Sequence, residues 1–300
     1  MELFAPKYYE KFSCIADKCR HSCCVGWEIG IDARTLAKYS ALDGDYAESI
    51  RQSIESGETP HFRLCADGKC AHLDERGLCR IISKVGEDAL CAICREHPRF
   101  YHTAGGVREV GLGLCCEEAC RIILSSDEYA EFVRVGSVRD GGEVSEFDAV
   151  AHRARIYAVI SDRTLSYTER LRKLCSKYGF RVGGFSKDEW ADVLAGLEFL
   201  DEGHRELFLG YSPYLDTPDE LELPLERALA YFVYRHCSSA TSREEFRTGL
   251  GFALFCERLL SGMAKENSGT TVFDLARIIS EELEYSEENC DAIKTEFIFL

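Results

Sequence analysis

Residues 14–27 read "CIADKCRHSCCVGW", with four cysteines inside eleven residues and two of them adjacent. That stretch decides the architecture, because the chain's 16 cysteines are not spread evenly over its 300 residues. Cys14, Cys19, Cys23, Cys24, Cys65, Cys70, Cys79, Cys91, Cys94, Cys115, Cys116 and Cys120 come first, and only Cys175, Cys237, Cys256 and Cys290 follow. A cysteine density near a tenth marks a disulfide scaffold or a metal-binding framework.

Disulfides need an oxidising compartment, which an exported chain reaches with an address. The start "MELFAPKYYEKFSC" has no basic segment leading into an apolar run. No uninterrupted apolar stretch approaches the roughly 18 residues of a membrane span, so no membrane partner is expected. The expectation is a cytoplasmic protein with reduced thiols. A chain of this length also buries an ample core without covalent staples. Metal or cluster ligation is therefore favoured over structural disulfides.

Charge divides the chain in the same way. Residues 1–125 carry 16 Lys and Arg against 19 Asp and Glu, and the remainder 20 against 33, for a net of −16. Such an acidic chain is a poor partner for nucleic-acid phosphates. Its acidic helical part, with Glu281 and Glu282 expected on exposed faces, could steer a lysine-rich partner; the plainer reading is a surface kept for solubility.

The first 135 residues read as a cysteine-rich region of short elements. Asp32 before "ARTLAKYSAL" is a helix N-cap. "HFRLCADGKCAHLDERGLCRI" carries two turn signals and predicts a hairpin-like element with Cys70 and Cys79 near its ends. "VREVGLGL" reads as a strand running into a helix at "CEEACRIIL". Residues 145–300 read as a helical region that could pack with the first as one unit. "SYTERLRKLCSKYG" opens with a capping box, Ser166 to Glu169, and closes at Gly179. "SKDEWADVLAGLEFL" repeats the device at Ser186 and Glu189. Three later stretches, near 223–237, 242–263 and 271–285, place apolar residues at helical spacing. The predicted fold is mainly α, with the break at 138–148. Cys175, Cys237 and Cys256 fall in apolar helical patterns and read as small core residues.

The spacing is C-x4-C-x3-C-C, then C-x8-C from Cys70 to Cys79, then C-x2-C from Cys91 to Cys94. A cation lowers the thiolate pKa and gives each clustered sulfur a partner. C-x2-C alone is weak; ligand candidates from three segments are more specific. Zinc takes four thiolates, or three and an imidazole, and an iron–sulfur cluster takes four thiolates, or three with one iron left open. Spacing does not choose between them, although surroundings rich in sulfur and poor in histidine lean toward iron–sulfur. His21, His72 and His97 read as hydrogen-bonding neighbours rather than ligands. No phosphate loop, serine nucleophile elbow or zinc-protease motif occurs.

"PKYYEKFSCIADKCRHSCCVGWEIGID", "GKCAHLDERGLCRIISKVGEDALCAICREHPRF" and "REVGLGLCCEEACRIIL" together resemble the flagellin lysine-N-methylase family, in the family's order. The pieces "LSYTERL", "ALAYFVYRHC" and "SEELEYSEENCDAI" extend the resemblance over most of the chain. The cysteine pattern is also similar to a broader class of zinc- or iron-chelating domains. Carried across by position, the resemblance implies metal ligation by Cys14, Cys19, Cys23, Cys24, Cys70, Cys79, Cys91, Cys94 and Cys116, with Trp27, Arg95, Pro98 and Arg99 completing the motifs. It leaves out Cys65, Cys115 and Cys120. It further implies a [4Fe–4S] cluster, S-adenosylmethionine as methyl donor and flagellin as protein substrate.

Two functions follow as expectations. One is methyl transfer from S-adenosylmethionine to flagellin lysines. The other is a non-catalytic zinc- or iron-binding module that organises an interaction surface. No residue declares itself as catalytic base: Tyr8, Tyr9, Asp32 and Glu109 stand beside the motifs and read as structural.

Overall fold

The computed structural model describes residues 1–57, 59–104, 106–138, 145–181, 185, 187–210 and 217–298. Its strands are β1 (Glu2–Pro6), β2 (Ile29–Gly30), β3 (Ile54–Glu55), β4 (His61–Phe62), β5 (Arg99–Ala104), β6 (Val107–Leu112) and β7 (Phe132–Ser137). They form two sheets, ordered β5-β6-β1-β7 and β2-β4-β3. The sheets belong to different compact units: Ser13–Arg99 is one, and Met1–Phe12 with Phe100–Leu300 is the other.

The Ser13–Arg99 unit is built from short pieces. β4 pairs antiparallel with both β2 and β3. Around them lie α1 (Ala33–Ser40), α2 (Ala47–Gln52), α3 (Arg80–Lys84) and α4 (Ala92–Glu96). Asp32 caps α1 as expected, its side chain accepting from Thr35 N at 3.0 Å. The expected hairpin resolves instead into two successive turns. Leu64 bridges Cys70 and Leu73 bridges Cys79, with Gly68 and Gly77 at φ +76 and +78, a region that L side chains disfavour. Each turn closes on itself because its own residues satisfy it. The Asp74 carboxylate accepts from Arg76 N at 2.9 Å and Leu78 N at 2.8 Å. The core here is small: Ile29, Ile31, Tyr39, Ile50, Phe62 and Ile81, joined by Cys70 and Cys91.

The other unit is the mainly α part, and 55% of the described residues are helical. β1 runs parallel to β6, with Leu3 opposite Arg108, and antiparallel to β7, with Phe4 opposite Arg134. Strand pairing ties residues 2–6, 107–112 and 132–137 into one sheet. Residues 139–144 of the expected boundary loop lie outside the described residues.

α5 (Glu117–Ser125) lies between β6 and β7, and after the sheet come α6 (Ala149–Ile160), α7 (Tyr167–Tyr178), α8 (Lys187–Ala195), α9 (Glu202–Leu209), α10 (Asp219–Cys237), α11 (Arg243–Glu266), α12 (Val272–Ile279) and α13 (Glu287–Ile298). α7 carries the expected capping box, Ser166 with Glu169, and ends at Gly179 in the left-handed conformation. Ser186, the expected cap of α8, lies outside the described residues. Every residue of α11 from Gly249 to Met263 is buried, the pattern of a helix surrounded by others. Cys175, Cys237 and Cys256 are buried core residues as expected. Glu282 overturns its expected exposure: its side chain is fully buried, pairing with His204 Nδ1 at 2.6 Å. The reason is a π turn over Ser280–Glu284, which winds more residues per turn than the α-helix and carries Glu282 inward. Among the described residues no helix is long and apolar enough to cross a membrane.

Candidate metal centre

The two short helices α3 and α4 start on cysteines. Cys79 is the N-cap of α3 and Cys91 the N-cap of α4. The i, i+3 spacing brings Cys94 back over Cys91, and their Sγ atoms stand 3.3 Å apart. α4 is fixed at its start by Asp32, whose carboxylate accepts from Ala92 N at 2.9 Å. Cys24 and Cys70 are joined through the backbone, Cys70 N donating to Cys24 O at 2.8 Å. Cys24, Cys79 and Cys94 pack half-buried against the core that contains Cys70 and Cys91.

These five sulfurs feel one another. Burial raises Cys70 to about 11, and the charges of Cys24, Cys79 and Cys91 push in the same direction. Burial also raises Cys79, with Cys24 and Cys91 adding to it. Cys94 is raised most, chiefly because its hydrogen bond to Cys91 leaves the proton on Cys94, with burial and the charges of Cys91, Cys24 and Cys79 behind it. The same bond lowers Cys91 to about 7. A hydrogen bond from Cys23 lowers Cys24 to about 7. Five neighbouring thiols cannot all ionise against like charge; a bound cation reverses that balance and favours thiolate.

The other expected ligands are placed differently. Cys14 is exposed. Cys19 donates to the backbone oxygen of His21 at 3.2 Å. Cys23 is exposed beside Cys24. Cys116 belongs to the other unit, where it caps α5. All sixteen cysteines carry thiols rather than disulfides. His72, buried, has both ring nitrogens engaged, Nδ1 with Tyr46 OH at 2.9 Å and Nε2 with Ser53 Oγ at 2.7 Å, and so acts as a hydrogen-bonding neighbour. Glu109 is structural too, forming a buried pair with Arg153 at 2.6 Å.

Among the described residues no group of three or more Cys, His, Asp or Glu side chains has the geometry to hold a metal ion. Sulfurs around a tetrahedral zinc, each about 2.3 Å from it, stand about 3.8 Å apart; the Cys91–Cys94 pair, at 3.3 Å, lies near that separation. In kind, the donors fit: five soft sulfurs in an apolar setting suit zinc or an iron–sulfur cluster and suit hard cations poorly. The spacing pattern had flagged all five. It gave no sign of Asp32 as the residue that ties α1 to α4, since that contact spans sixty residues of chain.

Comparison with known proteins adds kinship. No family model matches the chain, and no solved structure does. Over 130 residues it is 32% identical to the flagellar biosynthetic protein FliU of Salmonella muenchen, covering 41% of this chain and 77% of that protein. The chain belongs to the FliU family. Two proteins named lysine-N-methylase, from Salmonella typhimurium (strain LT2) and Salmonella choleraesuis (strain SC-B67), are also 32% identical over 130 residues, again 41% of this chain. The match spans 32% of each of those two proteins. This FliU-family chain thus covers about a third of the curated lysine-N-methylases it resembles.

Proposed function

We propose that the chain is a cytoplasmic protein-lysine N-methyltransferase that uses S-adenosylmethionine, acts on flagellin, and carries a cysteine-ligated iron–sulfur cluster. The observation that carries this reading is the convergence of Cys24, Cys70, Cys79, Cys91 and Cys94 in one core, in a chain whose relatives include proteins named lysine-N-methylase. Three of those five thiolates would hold the cluster and leave one iron open, and Cys91 and Cys94, already paired, would be two of them. When bound, the cluster would supply an iron able to hold the amino-acid end of the methyl donor. The protein's part is to present the cysteines, to keep water from the sulfurs, and to bring a lysine amine to reaction. That amine must first lose a proton held with a pKa of about 10.4.

Anoxic purification, a visible spectrum, a titration with S-adenosylmethionine and a flagellin methylation assay test the reading. Broad iron–sulfur absorption that changes on adding the donor, with methyl transfer to flagellin, supports it. A colourless protein with stoichiometric zinc and no donor binding sinks it in favour of a structural module.

A further inference from the structure

Where α10 turns into α11, opposite α13, the helical unit holds a cavity of about 470 Å³. His236, Ser239, Glu244, Thr248, Gly249 and Lys294 are among the residues that line it. Gly249 lets the two helices approach: a Cβ there would collide with the backbone oxygen of His236. At the inner wall His236 Nε2 meets Glu284 Oε1 at 2.7 Å. The Glu284 side chain is fully buried, paired with Arg235 at 3.3 Å, and accepts from Tyr231 OH at 2.8 Å. It belongs to the π turn over Ser280–Glu284, a distortion frequent at functional sites.

The carboxylate can only accept, so Nε2 carries the imidazole hydrogen and Nδ1 presents a lone pair. Burial holds His236 down at about 4 against the pull of Glu284, with the charges of Lys294 and Arg235 adding to burial. The ring is therefore neutral and ready to accept at neutral pH. Glu244 and Glu245, both exposed, supply negative charge where the cavity opens. Ala240 and Ile298 give it carbon surface.

These features match one kind of guest. Acidic groups at the opening attract a cation, and carbon surface suits an aliphatic stem. The ammonium of Lys294, which also lines the cavity, disfavours a second positive charge and so lowers the pKa of an amine that enters. Unaided, less than about one part in a thousand of a lysine side chain is neutral at pH 7.

We propose that this cavity binds a primary alkylamine, the end of a lysine side chain, and that His236 takes its proton while Glu284 positions the imidazole. The inference deepens the lysine-methylation reading and rests on it for the identity of the guest. One N–H bond of the ammonium breaks, its electron pair stays on nitrogen, and the proton passes to His236 Nδ1 and then to solvent. Glu284 stabilises the imidazolium and is not itself protonated.

The test uses the full chain with histidines labelled in nitrogen-15, titrated with n-butylamine, alongside pH–rate profiles of flagellin methylation. The inference expects butylamine to move the His236 ring signals. It expects His236→Gln to lower the rate about 10²- to 10⁴-fold, the range for a general base. Glu284→Gln should lower kcat with little change in KM. Lys294→Met, at a half-buried site, should shift the acid limb of the profile to higher pH. Unmoved His236 signals, or profiles unchanged in both His236→Gln and Lys294→Met, would overturn the inference even if flagellin is methylated. Butylamine binding at His236 in a chain that never methylates flagellin would instead retain the amine site and overturn the methylation reading.

Discussion

Asp32 and Ala92, sixty residues apart, are joined by a 2.9 Å bond from the Ala92 amide to the Asp32 carboxylate. The same side chain caps α1 through Thr35 N at 3.0 Å, so one carboxylate fixes two helix starts and, through α4, the position of Cys91 and Cys94. Replacing Asp32 by Ala should destabilise the cysteine-rich unit by about 1–2 kcal/mol, the usual loss for an N-cap. Metal content per chain should fall with it. Chemical denaturation and metal analysis check the two effects together. A loss of stability with metal untouched would separate Asp32 from the thiol cluster.

The cysteines should respond unequally. Ser at Cys24, Cys91 or Cys94 opens a ligand position in the cluster of five and should cut bound metal sharply. Ser at Cys175 or Cys256, both buried among helices, should cost about 1–3 kcal/mol for a polar group in a core and leave metal in place. Metal analysis with visible absorption reads this, and equal metal loss in both sets would mean that the proposed ligand set is wrong.

Local chemistry was legible in the sequence, and long-range pairing was not. Asp32, Ser166 with Glu169, and Gly179 were readable because a cap involves only residues within one turn of it. The parallel pairing of β1 with β6 leaves no local mark, since Leu3 meets Arg108 across a hundred residues. Glu282 failed for a different reason: helical periodicity assumes 3.6 residues per turn, and the π turn breaks that count. The thiol cluster was legible as composition and spacing. Which cysteines share it depends on the two successive turns and on α3 and α4, which only the fold sets.

Acid should weaken the helical unit from a predictable side. Burial lowers His236 to about 4 and His102 to about 3, both below the ordinary value of about 6.5. The folded state thus holds fewer protons than the unfolded chain over that interval. Stability from these groups is complete above about pH 6.5 and is lost as pH falls toward 4 and then 3. His102 Nε2 is buried with no hydrogen-bond partner among the described residues, so His102→Leu should flatten the acid limb of a stability profile without a large loss at pH 7. A melting-temperature series from pH 4 to 8 decides it; parallel curves for variant and parent would contradict the assignment.

Acidic residues of α13 and the π turn should separate sharply on charge reversal. Glu287 and Glu288 are exposed, and reversing them touches only the long-range field, which salt screens over about 8–10 Å. Glu282 is different. Its carboxylate accepts from Leu200 N at 2.8 Å and Asp201 N at 3.3 Å besides pairing with His204. Glu282→Lys would place an ammonium against two backbone donors and a histidine in a dry setting. A loss of about 3–5 kcal/mol is expected, as for breaking a buried pair. Glu287→Lys with Glu288→Lys should leave the melting temperature within a few degrees. If the acidic face steers flagellin, that double reversal should slow methylation at low salt and converge with the parent at high salt. Identical rates at every salt concentration would leave this face a solubility role alone, while the Glu282 result stands on the fold whichever way the kinetics fall.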